Sequence, residues 1–322
     1  MRSKTENLET LIPKDQLNLY GYDIYFEKFI NLFETNKLPN SILLSGFKGI
    51  GKSTFVYHFS NYLLSKNEDY QYSIKDFSII ADNSSYKQMR NNIHPNFFLI
   101  ENYSLNKEIK IDQIRELLKF LNKSTYSKNL KIVLIDHIES LNLNSANALL
   151  KAIEEPKKNT FFFIIHNSGS KILPTIKSRC VEFKIFFSSD KKKYIFDKIA
   201  NQYELKFENF DYKNYFYFES PGNLIKYVSD LSNDDKKKSD LSIINYFIEK
   251  YLVDKNPETL YLIIQFIQIF YKNLCSTFNI HLNKCFFNYH KILRQINQMN
   301  NYNLDKKNTF IKIQNILVNE VK

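Results

Sequence analysis

The stretch "GFKGIGKST" groups residue types that can hold a phosphate: Gly46, Gly49, Gly51, Lys52, Ser53 and Thr54. Gly46, four residues, then Gly51, Lys52 and Ser53 satisfy the spacing G-x-x-x-x-G-K-[ST]. Glycines let the backbone turn tightly enough for successive N–H groups to converge on one phosphate, and a helix beginning there adds the positive end of its dipole. In such a loop Lys52 reaches the β- and γ-phosphates of a nucleotide, and Ser53 offers its hydroxyl to Mg²⁺. The bland alternative is a glycine turn that binds nothing. A second oxygen ligand comes from Asp136, which directly follows the apolar run Ile132 to Ile135. At a strand end in the same domain, its carboxylate is placed to hold Mg²⁺ through a water, or else it is a plain acidic cap.

Hydrolysis needs a further group that orients or deprotonates water, worth about 10²–10⁴-fold in rate. The residue after Asp136 is His137, and Glu139 lies two positions further on. If the chain enters a helix there, Glu139 points elsewhere. A neutral imidazole has an accepting nitrogen, so His137 is the alternative base, or a plain polar turn residue.

The elements around these residues have the order that the phosphate loop requires. "NSILLSG" (40–46) is a short apolar run ending in glycine, as a buried parallel strand does. "STFVYHFSNYLL" (53–64) follows with Phe55, Val56, Phe59, Tyr62 and Leu63 at helical spacing. "NFFLIE" (96–101), "LKIVLID" (130–136), "TFFFIIHN" (160–167) and "VEFKIFF" (181–187) read as further strands. "IDQIRELLKFL" (111–121), with Asp112 as its expected cap, and "NSANALLKAIEEP", closed by Pro156, read as helices between them. Strands alternating with helices predict an α/β domain with a parallel sheet covered on both faces. Beyond Phe187 the strand signals fade. "DKKKYIFDKIANQYEL" and "ESPGNLIKYVSDL" predict helices, and from about Leu241 apolar residues recur at helical spacing to the end. Three parts are expected: residues 1–187, a small helical domain over 188–232, and an all-helical domain over 233–322.

Composition bounds the rest. The 322 residues are 43% hydrophobic and 25% charged, a globular composition. The apolar run "LYLIIQFIQIF" (260–270) is about half the ~20 residues that a membrane span needs, so it reads as a buried helix. The start of the chain shows no signal peptide, and a cytoplasmic protein with no membrane partner is expected. A net charge of +11 is compatible with nucleic acid. However, Lys, Asn, Ile, Phe and Tyr share AT-rich codons, so base composition explains much of the basicity, and "DDKKKSD" (234–240) reads as a solvated linker. Cys180, Cys275 and Cys285 form no CxxC pair, which argues against a disulfide framework. His281, Cys285 and His290 lie near Cys275 at spacings that match no zinc pattern.

With these motifs in place the chain resembles the bacterial clamp-loader subunits of the AAA+ class. "LPNSILLSGFKGIGKST", "NIHPNFFLIE", "IDQIRELLKFL", "IDHIESLNLNSANALLKAIEEP" and "ILPTIKSRC" carry the likeness over most of the first 180 residues. "NALLKAIEEP" combined with "LPTIKSRC" is the most specific part, whereas the C-terminal third is similar only in length and helical character. The resemblance implies a helical collar at the C-terminus and ATP or ADP with Mg²⁺ at the loop. It implies assembly with other loader subunits (gamma/tau and delta), and work on a sliding clamp and primed DNA through the assembled complex. It also implies that Arg179 of "SRC" acts as an arginine finger in a neighbour's ATP site. Two departures matter. The glutamate that usually follows the strand aspartate in active relatives is here His137, and the arginine of the second domain is here Asn223 in "ESPGNLIKYV". The cysteine cluster of some branches is missing before "HPNF", so no zinc is expected. These departures favour a chain that binds nucleotide with little hydrolysis of its own. The alternatives are an active gamma/tau-like motor, which should carry both missing residues, and a small-molecule kinase, which would leave "SRC" and the C-terminal helices unexplained.

Overall fold

The computed structural model describes residues 11–101, 108–123, 130–205, 219–225, 239–277 and 282–321. Five strands, β1 (Ser41–Gly46), β2 (Phe97–Ile100), β3 (Lys131–Ile135), β4 (Thr160–Asn167) and β5 (Val181–Lys184), form one sheet in the order β2-β3-β4-β1-β5, every pair parallel. Every residue of β1 and β3 is buried, as expected for strands covered on both faces.

Side chains of a strand alternate between faces, and the core divides accordingly. On one face Ile42, Leu44, Ile132, Leu134, Phe163 and Ile165 meet helices α1 (Asp23–Glu34) and α2 (Lys52–Leu64). On the other, Leu43, Val133, Ile135, Phe162 and Ile164 meet α4 (Ile111–Asn122) and α5 (Leu143–Glu154). The first face is built from aromatic rings. Phe26 and Phe29 of α1 pack edge-on against Phe59 of α2, and Phe29 also packs edge-on against Phe55. Each such ring contributes about 1.5–3 kcal/mol by burial alone. Helix α3 (Ser84–Arg90) is capped by the Asn83 side chain, which accepts the Tyr86 N–H. The short α6 (Pro174–Lys177) precedes β5, and α7 (Ser189–Gln202) follows it with Ser188 as its cap.

Local readings needed two adjustments. Asp112 does not cap α4. The helix begins at Ile111 with Lys110 at the cap position, the Gln113 side chain accepts the Lys110 N–H at 3.0 Å, and Asp112 pairs instead with Arg115 at 2.9 Å. The far end of α4 is held by Lys131, whose buried ammonium donates to the carbonyls of Phe120 (2.7 Å) and Leu121 (3.1 Å) and to that of Lys123. Helix C-termini leave such carbonyls without partners, and a cation suits their dipole. Strand β5 also stops at Lys184, short of Phe187. Ile185 and Phe187 turn into the core while Phe186 faces out.

Two compact units divide the chain: residues 1–204 with 220–226, and residues 205–219 with 227–322. Helix α7 and a short helix α8 (221–225) therefore belong to the sheet unit. The expected boundary at 232/233 and most of the 234–240 linker lie outside the described residues, as does His281. In the second unit α9 (Asp240–Asp254), α10 (Pro257–Thr277), α11 (Leu282–Asn301) and α12 (Lys306–Val321) pack in sequence, and α12 returns to α9. Ile244, Phe247, Ile263, Phe266, Ile292, Ile313 and Leu317 form its interior. Residues 260–270 fall inside α10 as a buried helix, and among the described residues no helix is long and apolar enough to cross a membrane.

Burial of His58 on α2 gives a test. Its Nε2 lies 3.1 Å from the Gln16 carbonyl and its Nδ1 3.1 Å from the Tyr72 hydroxyl, an arrangement suited to a neutral ring. Burial lowers its pKa from 6.5 to about 3, opposed weakly by the Gln16 hydrogen bond. Between those values the unfolded chain binds the proton and the folded chain does not, so folding is favoured above pH 6.5 and weakens as pH falls. We expect urea denaturation to show a loss of up to about 1.4 kcal/mol per pH unit below pH 6.5 from this group. His58→Gln should start less stable and depend less on pH; an identical pH slope in that variant would refute the assignment.

Candidate functional site

Between β1 and α2 the chain makes the turn that the glycine spacing requires. Gly49 and Gly51 adopt φ of +81° and +91°, a region costly for residues with a Cβ. Gly49 has a second reason to be glycine. A Cβ there would stand 2.4 Å from Ser220 Oγ and 2.7 Å from Asn223 Oδ1, because the turn leading into α8 lies against the loop. The Gly222 N–H donates to the Gly49 carbonyl at 3.1 Å. From the other side the Tyr22 hydroxyl donates to the Ile50 carbonyl at 3.1 Å, its ring stacked on Phe55.

Lys52 is 4% exposed, and its ammonium donates to the carbonyls of Gly46 (2.8 Å) and Phe47 (2.8 Å) and to Asn167 Oδ1 (2.9 Å). Burial lowers its pKa to about 8, with Asp136 and Glu139 pulling the other way. Ser53 Oγ donates to Asp136 Oδ2 at 2.8 Å, so the two expected metal-binding oxygens are neighbours across 83 residues of sequence. A cavity of about 250 Å³ opens over the loop, lined by Gly49, Gly51, Lys52, Ser53, Thr54 and Asp136 among others. Gly46 lies beneath, presenting its carbonyl to Lys52. A hydroxyl and a carboxylate side by side are the oxygen donors a hard cation such as Mg²⁺ takes, with the ammonium next to them for phosphate charge. The residues present therefore fit a Mg²⁺–nucleotide.

Glu139 does not point elsewhere, as a regular helix after the strand would have required. His137 adopts a left-handed conformation (φ +57°), its N–H donating to Asp136 Oδ1 at 2.9 Å, and a 3₁₀ turn (Ile138–Ser140) follows. That bend returns Glu139 to the β4 end, where Asn167 Nδ2 donates to Glu139 Oε1 at 2.6 Å and to His137 Nδ1 at 2.9 Å. The Glu139 carboxylate, 3.6 Å from Nδ1, foremost raises the His137 pKa above its ordinary value, against the effect of burial. His137 lines the cavity, whereas Glu139 stands behind it.

Arg179 is placed apart from this cluster and does not line the cavity. It sits between α6 and β5 with its guanidinium on the Thr175 carbonyl (3.0 Å) and on Glu154 Oε1 at the end of α5 (3.2 Å). Sequence reading missed Asn167, Tyr22 and the close approach of Gly222. The one available signal for Asn167 was its position as the last polar residue of "TFFFIIHN"; parallel pairing then sets it opposite Gly46.

Asn167 is thus the link between the loop lysine and the β3 turn. Asn167→Leu keeps the volume but leaves the Lys52 ammonium and Glu139 each short of a partner. We expect it to lower unfolding free energy in urea by about 3 kcal/mol. A loss under about 1 kcal/mol would show the network to be dispensable.

The chain is 34% identical over 143 residues to DNA polymerase III subunit delta' of Pseudomonas aeruginosa, covering 44% of this chain and 42% of that protein. It is 27% identical over 197 residues to DNA polymerase III subunit gamma of Buchnera aphidicola subsp. Schizaphis graminum, covering 60% and 52%. These matches span about half the length of the curated relatives. Among solved structures, a DNA polymerase III gamma subunit-related protein of Thermotoga maritima superposes with a TM-score of 0.51 at 18% identity, covering 91% of this chain and 99% of that one, a likeness of fold. The profile of the family described as DNA polymerase III, delta subunit, matches residues 22–188, just over half of the chain, and the chain belongs to that family.

Proposed function

We propose that this chain is a delta-prime-like subunit of a DNA polymerase III clamp loader, which binds ATP or ADP with Mg²⁺, hydrolyses little itself, and supplies Arg179 to a neighbouring subunit's site. The observation that carries the reading is the contrast between two places in one domain. At the loop, Lys52, Ser53 and Asp136 are assembled for a magnesium nucleotide, while the position that should offer a carboxylate to water offers an imidazole hydrogen-bonded by Asn167. Away from the loop, Arg179 is half-buried and tethered by a single surface carboxylate, Glu154, an exposed pair of small net worth that an approaching triphosphate would outcompete.

In this reading Gly46, Gly49, Gly51 and Thr54 shape the phosphate cradle, Lys52 neutralises phosphate charge, and Ser53 and Asp136 hold Mg²⁺, which supplies charge neutralisation between the phosphates. Residues 1–187 carry the nucleotide, 188–232 act as a small lid, and 233–322 form the collar through which the subunit joins gamma/tau and delta. Clamp and primed DNA are engaged by the assembled complex in the cytoplasm, with no zinc and no membrane partner. The second reading, a gamma/tau-like motor, is favoured by the match to a gamma subunit and by the return of Glu139 towards the site. The turnover rate of the isolated chain separates the two.

Two measurements test the proposal. Lys52→Ala should weaken binding of a fluorescent ATP analogue by about 100-fold or more, since it removes a charge-assisted phosphate contact; unchanged affinity would mean that the loop does not hold the nucleotide. In the reconstituted loader with DNA and clamp, Arg179→Ala should slow turnover at the neighbouring site by about 10³-fold while this chain's own nucleotide affinity is retained. A wild-type ATPase rate from that complex would end the finger assignment.

A further inference from the structure

The helical unit holds two cysteines that sequence spacing left unpaired. Cys275 lies in the last turn of α10 and Cys285 in the first turn of α11. The two side chains influence each other, and both line one cavity of about 330 Å³. Cys285 is 2% exposed, and Cys275 is half-buried. Two thiols serving only as apolar filler would account for their burial. It would not account for both lining one cavity wide enough to admit a small oxidant.

We propose that Cys275 and Cys285 are a peroxide-oxidisable dithiol which closes to an intramolecular disulfide between α10 and α11. Cys275, the more accessible thiol, reacts first as its thiolate. Its sulfur forms an S–O bond, the O–O bond breaks, and the departing hydroxide takes up a proton to become water. The Cys285 sulfur then attacks the Cys275 sulfur. The S–S bond forms, the S–O bond breaks, and the leaving hydroxide carries off the Cys285 proton as a second water. Two thiols give up two electrons and two protons, and one hydrogen peroxide accepts them to yield two waters. Burial and then the neighbouring Cys275 push the Cys285 thiol up to about 11, so it remains protonated until that second step. Within reducing compartments disulfides of this kind are transient and redox-sensing. Cys180, in the sheet unit, serves as an internal control.

The experiment is performed on the reduced full-length chain. After treatment with hydrogen peroxide and denaturation, two of the three thiols should be lost, and peptide mapping should recover 275 joined to 285 with the mass of two hydrogens missing. Dithiothreitol should restore both thiols and reverse a rise of a few degrees in melting temperature. Cys275→Ser, at the half-buried position, should retain its remaining thiols at the same peroxide dose. Survival of all three thiols would overturn the proposal, as would their consumption as sulfinate or as intermolecular crosslinks without a 275–285 link.

Discussion

The sheet unit is organised around one buried ammonium. Lys52 can keep its charge at 4% exposure only because three oxygens, the carbonyls of Gly46 and Phe47 and the Asn167 amide, stand within 2.9 Å of Nζ. A buried cation without such partners would cost several kcal/mol. Two of the three oxygens come from the loop itself. The third depends on the register of β1 against β4, which sets Gly46 opposite Asn167. A slip of one residue would turn Asn167 to the other face and leave the lysine short of a partner. Sheet register and loop chemistry are therefore one constraint.

From Asn167 the constraint spreads to the β3 end. Its amide nitrogen holds both His137 and Glu139, and the left-handed His137 makes that double contact possible by bending the chain directly after Asp136. A non-glycine residue in that conformation stores strain of order 1 kcal/mol or more, offset here by the Asp136, Asn167 and Glu139 contacts. The result differs from a site with a carboxylate facing the phosphates. An imidazole lines the cavity, and the carboxylate has been drawn behind it. On the opposite rim the α8 turn approaches so closely that Gly49 and Gly222 leave no space for a Cβ on either side.

The aromatic core shows how a compositional bias becomes structure. Phe and Tyr together supply 50 residues here, and one layer of the sheet unit is packed with their rings in edge-on and stacked pairs. Large rings fill the space between sheet and helices with few side chains, so a sequence poor in small apolar residues still reaches a dense interior.

The strands and most helices were legible because their apolar periods are strong. β4 has the bounds read from "TFFFIIHN", and α4 extends only one residue past its reading. Helix α1 was not read, although Phe26, Phe29, Ile30 and Phe33 repeat at helical spacing; it lacks a side-chain cap to mark its start. The phosphate-loop residues were visible as types at fixed spacing, since tight turns, anion-facing amides and a loop lysine depend on local backbone geometry. What the tertiary structure alone decided was which distant groups complete them: Asn167 beneath Lys52, Asp136 beside Ser53, the α8 turn on Gly49, Glu139 returned to the site, and Cys275 beside Cys285. Those pairings depend on strand register, on one left-handed residue and on helix packing. Each arises from contacts between segments remote in sequence, to which local spacing carries no signal.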